Sequence, residues 1–334
     1  MSVRPKIGIV GSGSWATAIV KILCEQDIEI HWWVRRDSAR EHILQFGHHP
    51  DYISAARLDC AKIKLHADVR SVLVSAETIV FATPSAFLKQ ALEGVSEAEL
   101  NDKTIVSAIK GMIPGDKENY IIAEYFEQFW KVSNDRFVVI SGPCHAEEVA
   151  QEKLSYLTFS SPNMALAETV SSLFACRFIR VSVTDDIFGT EIAAVMKNII
   201  AVASGICHGL GYGDNFQAVL VSNAIQEIKR FVDAVHPIER DIKGSAYLGD
   251  LLVTAYSNFS RNRTFGMMIG KGYSVKAAQL EMNMVAEGYY SVRNIFENNS
   301  KYGVDLPITE AVYNILYKGF RPAEAIQKMS SFLR

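Results

Sequence analysis

The sequence predicts an α/β, doubly wound, mostly parallel sheet in its first part and an all-α domain in its second. Three observations carry this. Residues Lys6–Val10 form a short apolar run that ends in Gly11-Ser-Gly13-Ser-Trp-Ala16 and passes into a helical pattern. Further β-rich runs, each followed by Gly, Pro or Ser, recur through the first half of the chain. Strands that alternate with helices in this way form a parallel sheet with helices on both faces. From about Thr184 onward β-branched runs become scarce and long helical segments dominate.

In chain order, Lys6–Val10 is a strand, 17–26 a helix and 28–34 a second strand. Further strands follow at 78–82, 104–109 and 137–140. The runs 156–159 and 178–183 are expected as added edge strands. Helices are then expected over 186–210, 214–236, 247–259, 275–282, 285–299 and 308–318. The boundary falls near 184–190. It gives a dinucleotide-binding, Rossmann-like domain over 1–186 and a helical substrate-binding domain over 187–334.

Composition narrows the function classes. A chain of 334 residues has room for two domains. With 49% hydrophobic and 21% charged residues it is of ordinary globular type. A net charge of −3 offers no basic footprint, so no nucleic-acid partner is expected. Apolar stretches either carry Lys197 or are too short for a bilayer, so no transmembrane segment is expected. The apolar run near the N-terminus is short and breaks at glycine, unlike a signal peptide. Cys24, Cys60, Cys144, Cys176 and Cys207 show no paired spacing. That suits a reducing cytoplasm and argues against disulfides and zinc; no HExxH pattern occurs and no metal site is expected.

The glycine turn is the first functional signal. Gly11-x-Gly13-x-x-Ala16 after a strand and before a helix is a dinucleotide motif. Gly11 permits the tight turn, Gly13 lets backbone approach a pyrophosphate, and Ala16 lets helix and strand pack closely. The second strand ends at Val34-Arg35-Arg36-Asp37. The arginines suit a 2′-phosphate and Asp37 suits free ribose hydroxyls, so NADPH and NADH both stay open. Loops at Ala82-Thr-Pro-Ser85 and Lys110-Gly111 also follow strands, at the sheet edge where ligands bind.

Lys197 is the second signal. It is the one charge in the run Ile192–Cys207, whose helical spacing leaves no wet face. A buried ammonium costs several kcal/mol unless paired. The rival reading is a lysine that snorkels from the edge of a core helix. Position alone weighs the two about equally.

Eight segments then set these signals in one frame. They are GSGSWATA (11–18), TPSAF (83–87), IKG (109–111), SGPCHAEEVA (141–150), VMKNIIAVASGICHGLGYGDN (195–215), LGDLLVT (248–254), SRNRTFG (260–266) and VAEG (285–288). Together they resemble glycerol-3-phosphate dehydrogenase of the bacterial NAD(P)-dependent type, in the family's order and over nearly the whole chain. Such enzymes reduce dihydroxyacetone phosphate to sn-glycerol 3-phosphate, the backbone precursor of glycerophospholipids.

The resemblance implies roles. Ser14 and Trp15 contact the cofactor in the glycine turn, and Arg35 lies near its adenosine end. Lys110 touches cofactor and substrate. Gly142 and Cys144 line the substrate pocket, and Ala146 lies against the nicotinamide. Lys197 is the catalytic acid/base, with Asn198, Asp250 and Thr254 around it. Ser260, Arg261 and Asn262 cradle the substrate, and Arg261 also approaches the cofactor. Val285 and Glu287 close over the cofactor. Cys144 stands where the family usually has a small polar residue, and a thiol donates a weaker hydrogen bond. A homodimer is also implied.

The chemistry is consistent with these residue types. Reducing a ketone takes a hydride carrier and a proton donor for the developing alkoxide. Desolvation and a second cation at Lys110 would disfavour the Lys197 ammonium, whereas a carboxylate at Asp250 would favour it. Ala193, Ala201 and Ser204 are small and near Lys197 along the helix, which leaves room for a ligand. Ser260-Arg-Asn-Arg263 offers charge and N–H donors for a phosphate. Gly209-Leu-Gly-Tyr-Gly213-Asp214 ends the lysine helix and starts the next. The small residues in 203–213 would also let two helices approach closely, across a dimer for instance. Trp32-Trp33 and Tyr289-Tyr290 read as packing. Two rivals remain: a two-domain hydroxyacid or imine reductase, which would not explain SRNR, and a non-catalytic dinucleotide sensor, which would not need Lys197.

Overall fold

The computed structural model describes residues 4–116, 118–282 and 286–334. The chain forms two compact units, Met1–Ile109 with Ile122–Ile187, and Lys110–Ile121 with Phe188–Arg334. The single crossing near 184–190 is therefore joined by an excursion: 110–121 leaves the first unit and belongs to the second.

The first unit holds an eight-stranded sheet. Its strands are β1 (Lys6–Val10), β2 (Glu29–Trp33), β3 (Ile63–His66), β4 (Thr78–Phe81), β5 (Thr104–Ser107), β8 (Phe137–Ser141), β9 (Ser155–Ser160) and β10 (Ile179–Thr184), in the order β10-β9-β8-β5-β4-β1-β2-β3. The short strands β6 (Ile113–Pro114) and β7 (Asn119–Tyr120) pair with each other in the excursion. From β3 to β8 all pairs are parallel. β9 then runs antiparallel to β8, and β10 parallel to β9. Helices α1 (Ser14–Cys24), α2 (Asp37–Phe46), α3 (Val69–Ser75), α4 (Leu88–Ala91), α5 (Ile122–Trp130), α6 (Ala146–Ala150) and α7 (Met164–Ser172) belong to this unit. Ile9, Val80, Val106 and Val138 are buried on adjoining strands, as a sheet covered on both faces requires. The chain winds outward in both directions from β1 and β4, so the gap between their carboxyl ends is the topological switch point.

Local differences have local causes. β3 was not expected because Ile-Lys-Leu-His is short, alternating and at the sheet edge. β9 is interior rather than an edge, because β10 covers it. α1 starts at Ser14, three residues earlier than the sequence pattern indicated, because Gly13 is its N-cap.

The second unit is built on α8 (Ile187–Gly209), with α9 (Asp214–Val235), α10 (Asp250–Tyr256), α11 (Arg261–Gly270), α12 (Val275–Glu281), α13 (Glu287–Asn298), α14 (Pro307–Lys318) and α15 (Pro322–Ser330). α8 is long and apolar enough to cross a bilayer, but 89% of its apolar window is buried inside the protein, which makes it a core helix. The expected helix over 247–259 divides: a π-helical turn spans Ser245–Gly249, and α10 ends at Tyr256 before the cap of α11.

Glycines set how closely α8 is approached. A Cβ at Gly205 would stand 2.0 Å from the Arg263 carbonyl oxygen, and one at Gly266 2.1 Å from that of Val202. α8 and α11 thus touch backbone to backbone, so this close approach occurs within one chain and not across a dimer. Gly288 brings α13 onto α8 in the same way, since its Cβ would lie 2.6 Å from the Asn198 oxygen. α8 ends as the glycine pattern indicates, with Gly211 at φ +89° and Gly213 capping α9.

The excursion is held by Asn119. Its backbone N–H donates to Asn298 Oδ1 at 3.1 Å, and Asn298 Nδ2 donates back to the Asn119 carbonyl at 2.8 Å. The Asn119 amide also donates to the Asn294 carbonyl and to Glu297. Glu118 and Lys301 form an ion pair beside it.

Candidate active site

In the second unit, α8 carries Lys197 into a nearly dry environment: the residue is 6% exposed and Asp250 only 1%. Asp250 opens α10, and its Oδ1 accepts from Lys197 Nζ. Its Oδ2 lies 4.0 Å from Lys110 Nζ and makes no hydrogen bond. The ion pair compensates an ammonium that would otherwise be costly to bury. Two lysines around one carboxylate put more cationic than anionic groups in a poorly hydrated place, an arrangement suited to a developing oxyanion.

The neighbours hold this arrangement. Asn198 Nδ2 donates to the Lys110 carbonyl at 3.0 Å. Asn262 Nδ2 donates to Asn198 Oδ1 at 2.9 Å, and the Gly288 N–H donates to Asn262 Oδ1 at 2.9 Å. Thr254 Oγ1 donates to the Asp250 carbonyl at 2.7 Å, one turn back along α10. Ser204 donates to the Ala255 carbonyl at 2.8 Å, which makes it a packing residue and not open space for a ligand.

SRNR is not a solvated helix end. Ser260 is the N-cap of α11 and accepts from the Arg263 N–H at 3.3 Å. Arg261 therefore sits in the first turn, at the positive end of the helix. It is half-buried and has no hydrogen-bond or ion-pair partner among the described residues. A free guanidinium at a helix N-terminus suits a phosphate. Glu287 begins α13. Val285 lies outside the described residues.

In the first unit, the glycine turn sits at the switch point. Gly11 has φ +134°, and a Cβ there would stand 2.7 Å from the Ala82 carbonyl, so glycine is required twice over. Gly13 faces open space, and no side chain caps α1. Ser14 is buried beside it. The Trp15 indole Nε1 and the Thr83 hydroxyl are buried without partners. An uncapped helix start, a glycine with open space at its side-chain position and two orphaned polar groups fit a dinucleotide pyrophosphate.

Trp32 does more than pack. Its Nε1 donates to the Gly11 carbonyl at 2.6 Å and so fixes the turn. Beyond β2, Arg36 pairs with Asp51 and Arg40 with Asp37. Arg35 is exposed and has no partner among the described residues. At the end of β8, Gly142 has φ +110°, and a Cβ would lie 2.8 Å from the Tyr156 carbonyl. Cys144 is half-buried, and Ala146 begins α6.

Two of the five thiols are buried. Burial pushes the Cys24 thiol up to about 11 and Cys207 up to about 12, so both are inert near neutral pH. Among the described residues no group of His, Cys, Asp or Glu could hold a metal ion.

A nucleotide-binding unit of this topology, with a helical unit carrying a buried lysine–aspartate pair, defines an NAD(P)-dependent oxidoreductase. Comparison with known proteins specifies the family. The N-terminal part of NAD-dependent glycerol-3-phosphate dehydrogenase matches residues 6–167, and its C-terminal part matches residues 186–327. The chain is 33% identical to glycerol-3-phosphate dehydrogenase (NAD(P)+) of Chlorobium chlorochromatii over 322 residues, 96% of each chain. It is also 33% identical to the enzyme of that name from Bacillus pumilus, over 97% of this chain and 93% of that one. Among solved structures, glycerol-3-phosphate dehydrogenase from Coxiella burnetii superposes with a TM-score of 0.89 at 26% identity, over 98% of each chain. The chain belongs to the NAD-dependent glycerol-3-phosphate dehydrogenase family.

Proposed function

We propose that the protein reduces dihydroxyacetone phosphate to sn-glycerol 3-phosphate, using NADPH or NADH, and so supplies glycerophospholipid synthesis. The observation that carries this reading is the Lys197–Asp250–Lys110 cluster, within the same helical unit as an unpartnered Arg261 at a helix N-terminus.

When bound, the nicotinamide supplies the hydride to the carbonyl carbon. The protein's own residues do the rest. Lys197 donates its proton to the carbonyl oxygen as negative charge grows there, and regains one from solvent after turnover. Asp250 holds the ammonium in place, and Lys110 adds positive charge at the developing oxyanion. Arg261 and the first N–H groups of α11 take the phosphate. Ser260 acts through its cap. Asn198, Asn262 and Thr254 support the cluster. Gly142 and Cys144 line the substrate pocket, with backbone rather than the Cys144 thiol making the contact. Gly11, Gly13, Ser14 and Trp15 hold the pyrophosphate, Arg35 the adenosine end and Ala146 the nicotinamide. Glu287 closes over the cofactor.

The decisive measurement follows reduced-cofactor absorbance in purified protein given dihydroxyacetone phosphate with NADH or with NADPH. Loss of absorbance is expected with at least one of them; none with either sinks the reading. Arg35, the uncommitted cation beyond β2, favours NADPH, and the ratio of the two rates tests that. The five free cysteines agree with a cytoplasmic setting. The family resemblance favours a homodimer, which light scattering on the eluting protein would report as twice the chain mass.

A further inference from the structure

Three hydrogen bonds join four segments of the helical unit. The Gly288 N–H at the start of α13 donates to Asn262 Oδ1 on α11, Asn262 Nδ2 donates to Asn198 Oδ1 on α8, and Asn198 Nδ2 donates to the Lys110 carbonyl in the excursion. Asn198 is 5% exposed and Asn262 is 8%. Each amide lies beside a residue of the proposed chemistry: Asn198 beside Lys197, Asn262 beside Arg261, Gly288 beside Glu287 and the last acceptor on Lys110 itself.

The relay has a fixed direction. One end is a backbone N–H, which only donates; the other is a backbone carbonyl, which only accepts. Flipping either amide would set oxygen against oxygen or N–H against N–H, leaving buried groups unsatisfied. The two side chains are therefore locked in one orientation, and the Lys110 backbone is held at a set distance from α8. The other end of the same excursion is held by the Asn119–Asn298 pair.

We infer that Asn198 and Asn262 are positioning residues: their directional amide relay sets where Lys110 stands relative to the Lys197–Asp250 pair. This rests on the reductase reading above. In the native state Asn198 accepts one hydrogen bond and donates one. Asn198→Asp keeps the size and the acceptor for Asn262 but removes the donor to Lys110. Asn262→Asp keeps the acceptor for Gly288 and removes the donor to Asn198. Neither change removes a lysine, and each puts a carboxylate where an amide stood.

The test is a double-mutant cycle between Asn198→Asp and Lys110→Met, read as kcat/KM for dihydroxyacetone phosphate, with reduced-cofactor Kd measured in parallel by fluorescence. With Lys110 present, Asn198→Asp should lower kcat/KM by about thirtyfold; in the Lys110→Met background it should cost less than about threefold. Cofactor Kd should stay within about twofold of native. Equal losses in both backgrounds, or near-native turnover in Asn198→Asp, would overturn the assignment. A second readout does not need turnover. Hydrogen exchange across 110–121 should be at least about fivefold faster in Asn198→Asp than in native protein. Unchanged exchange there also overturns the relay, whereas a native protein without turnover but with faster exchange in the variant would reject only the reductase reading.

Discussion

The glycine turn of the first unit and the lysine cluster of the second assemble their chemistry in opposite ways. Gly11, Gly13, Ser14, Trp15 and Ala16 lie within six consecutive residues, and what they offer a ligand is largely backbone. Lys110, Lys197 and Asp250 come from three distant segments, and what they offer is side-chain charge held by other side chains. A backbone site tolerates side-chain change wherever the main-chain path is kept. A side-chain cluster in a dry place depends on every partner, because removing one leaves another buried and unpaired.

The largest test of this contrast is Lys197→Met. Turnover should fall by about a thousandfold, as for loss of a general acid, while reduced-cofactor affinity changes little and the unfolding midpoint drops because Asp250 loses its ion-pair partner. Near-normal turnover would remove Lys197 from the chemistry. Next is Arg261→Ala, which should raise the KM for dihydroxyacetone phosphate by about fiftyfold with a smaller change in kcat, because phosphate charge goes unmatched. An unchanged KM would place the phosphate elsewhere. On the backbone side, Trp32→Phe keeps an aromatic, though smaller, side chain and removes the donor to the Gly11 carbonyl. It should weaken cofactor binding about fivefold and leave the substrate KM alone. A loss as large as that of Lys197→Met would show that the turn depends on side chains after all.

The smallest effect concerns His49, which lies beyond β2. Its ring is 1% exposed and accepts from the Asp51 and Tyr52 N–H groups at 3.1 and 3.3 Å. Burial, with the nearby Arg36 charge, lowers its pKa to about 4. A histidine depressed in the folded state binds fewer protons there than in the unfolded chain. Its stabilising contribution is therefore full above about 6.5 and is lost as pH falls towards 4. Urea midpoints of native protein should drop more steeply over that window than those of His49→Gln. Parallel curves would show that His49 is not what titrates.

The same contrast explains what could be read in advance. The turn was legible because spacing alone encodes it, and Lys197 because a lone charge in an apolar helix is conspicuous. Sheet class and the change to helices followed from periodicity. α11 was missed because Ser260-Arg-Asn-Arg looks polar, and where the helix meets α8 it does so through Gly266 and Gly270, leaving only Phe265 and Ile269 as a short apolar signal. Two Gly-x-x-x-Gly patterns, at 205–209 and 266–270, are each visible in the sequence, but nothing local says that they meet. Trp32 supporting Gly11, the orphaned Thr83 hydroxyl and the attachment of Asn119 to α13 are long-range facts of the same kind. Asn262 was implied as a substrate contact; its amide is engaged by Asn198 and Gly288.

The excursion over 110–121 bears on how the protein can be divided. The chain passes between units at 109–110, 121–122 and 187–188, so the two halves of the gene are not two modules. A fragment starting at Phe188 would leave Asn198 without its carbonyl acceptor, Asp250 without its second cation and Asn298 without Asn119. Grafting a foreign nucleotide-binding part onto this helical part would succeed only if the graft brought a loop able to take over all three contacts. Recombination at the apparent seam therefore takes away a segment that the helical unit needs, together with the nucleotide-binding unit.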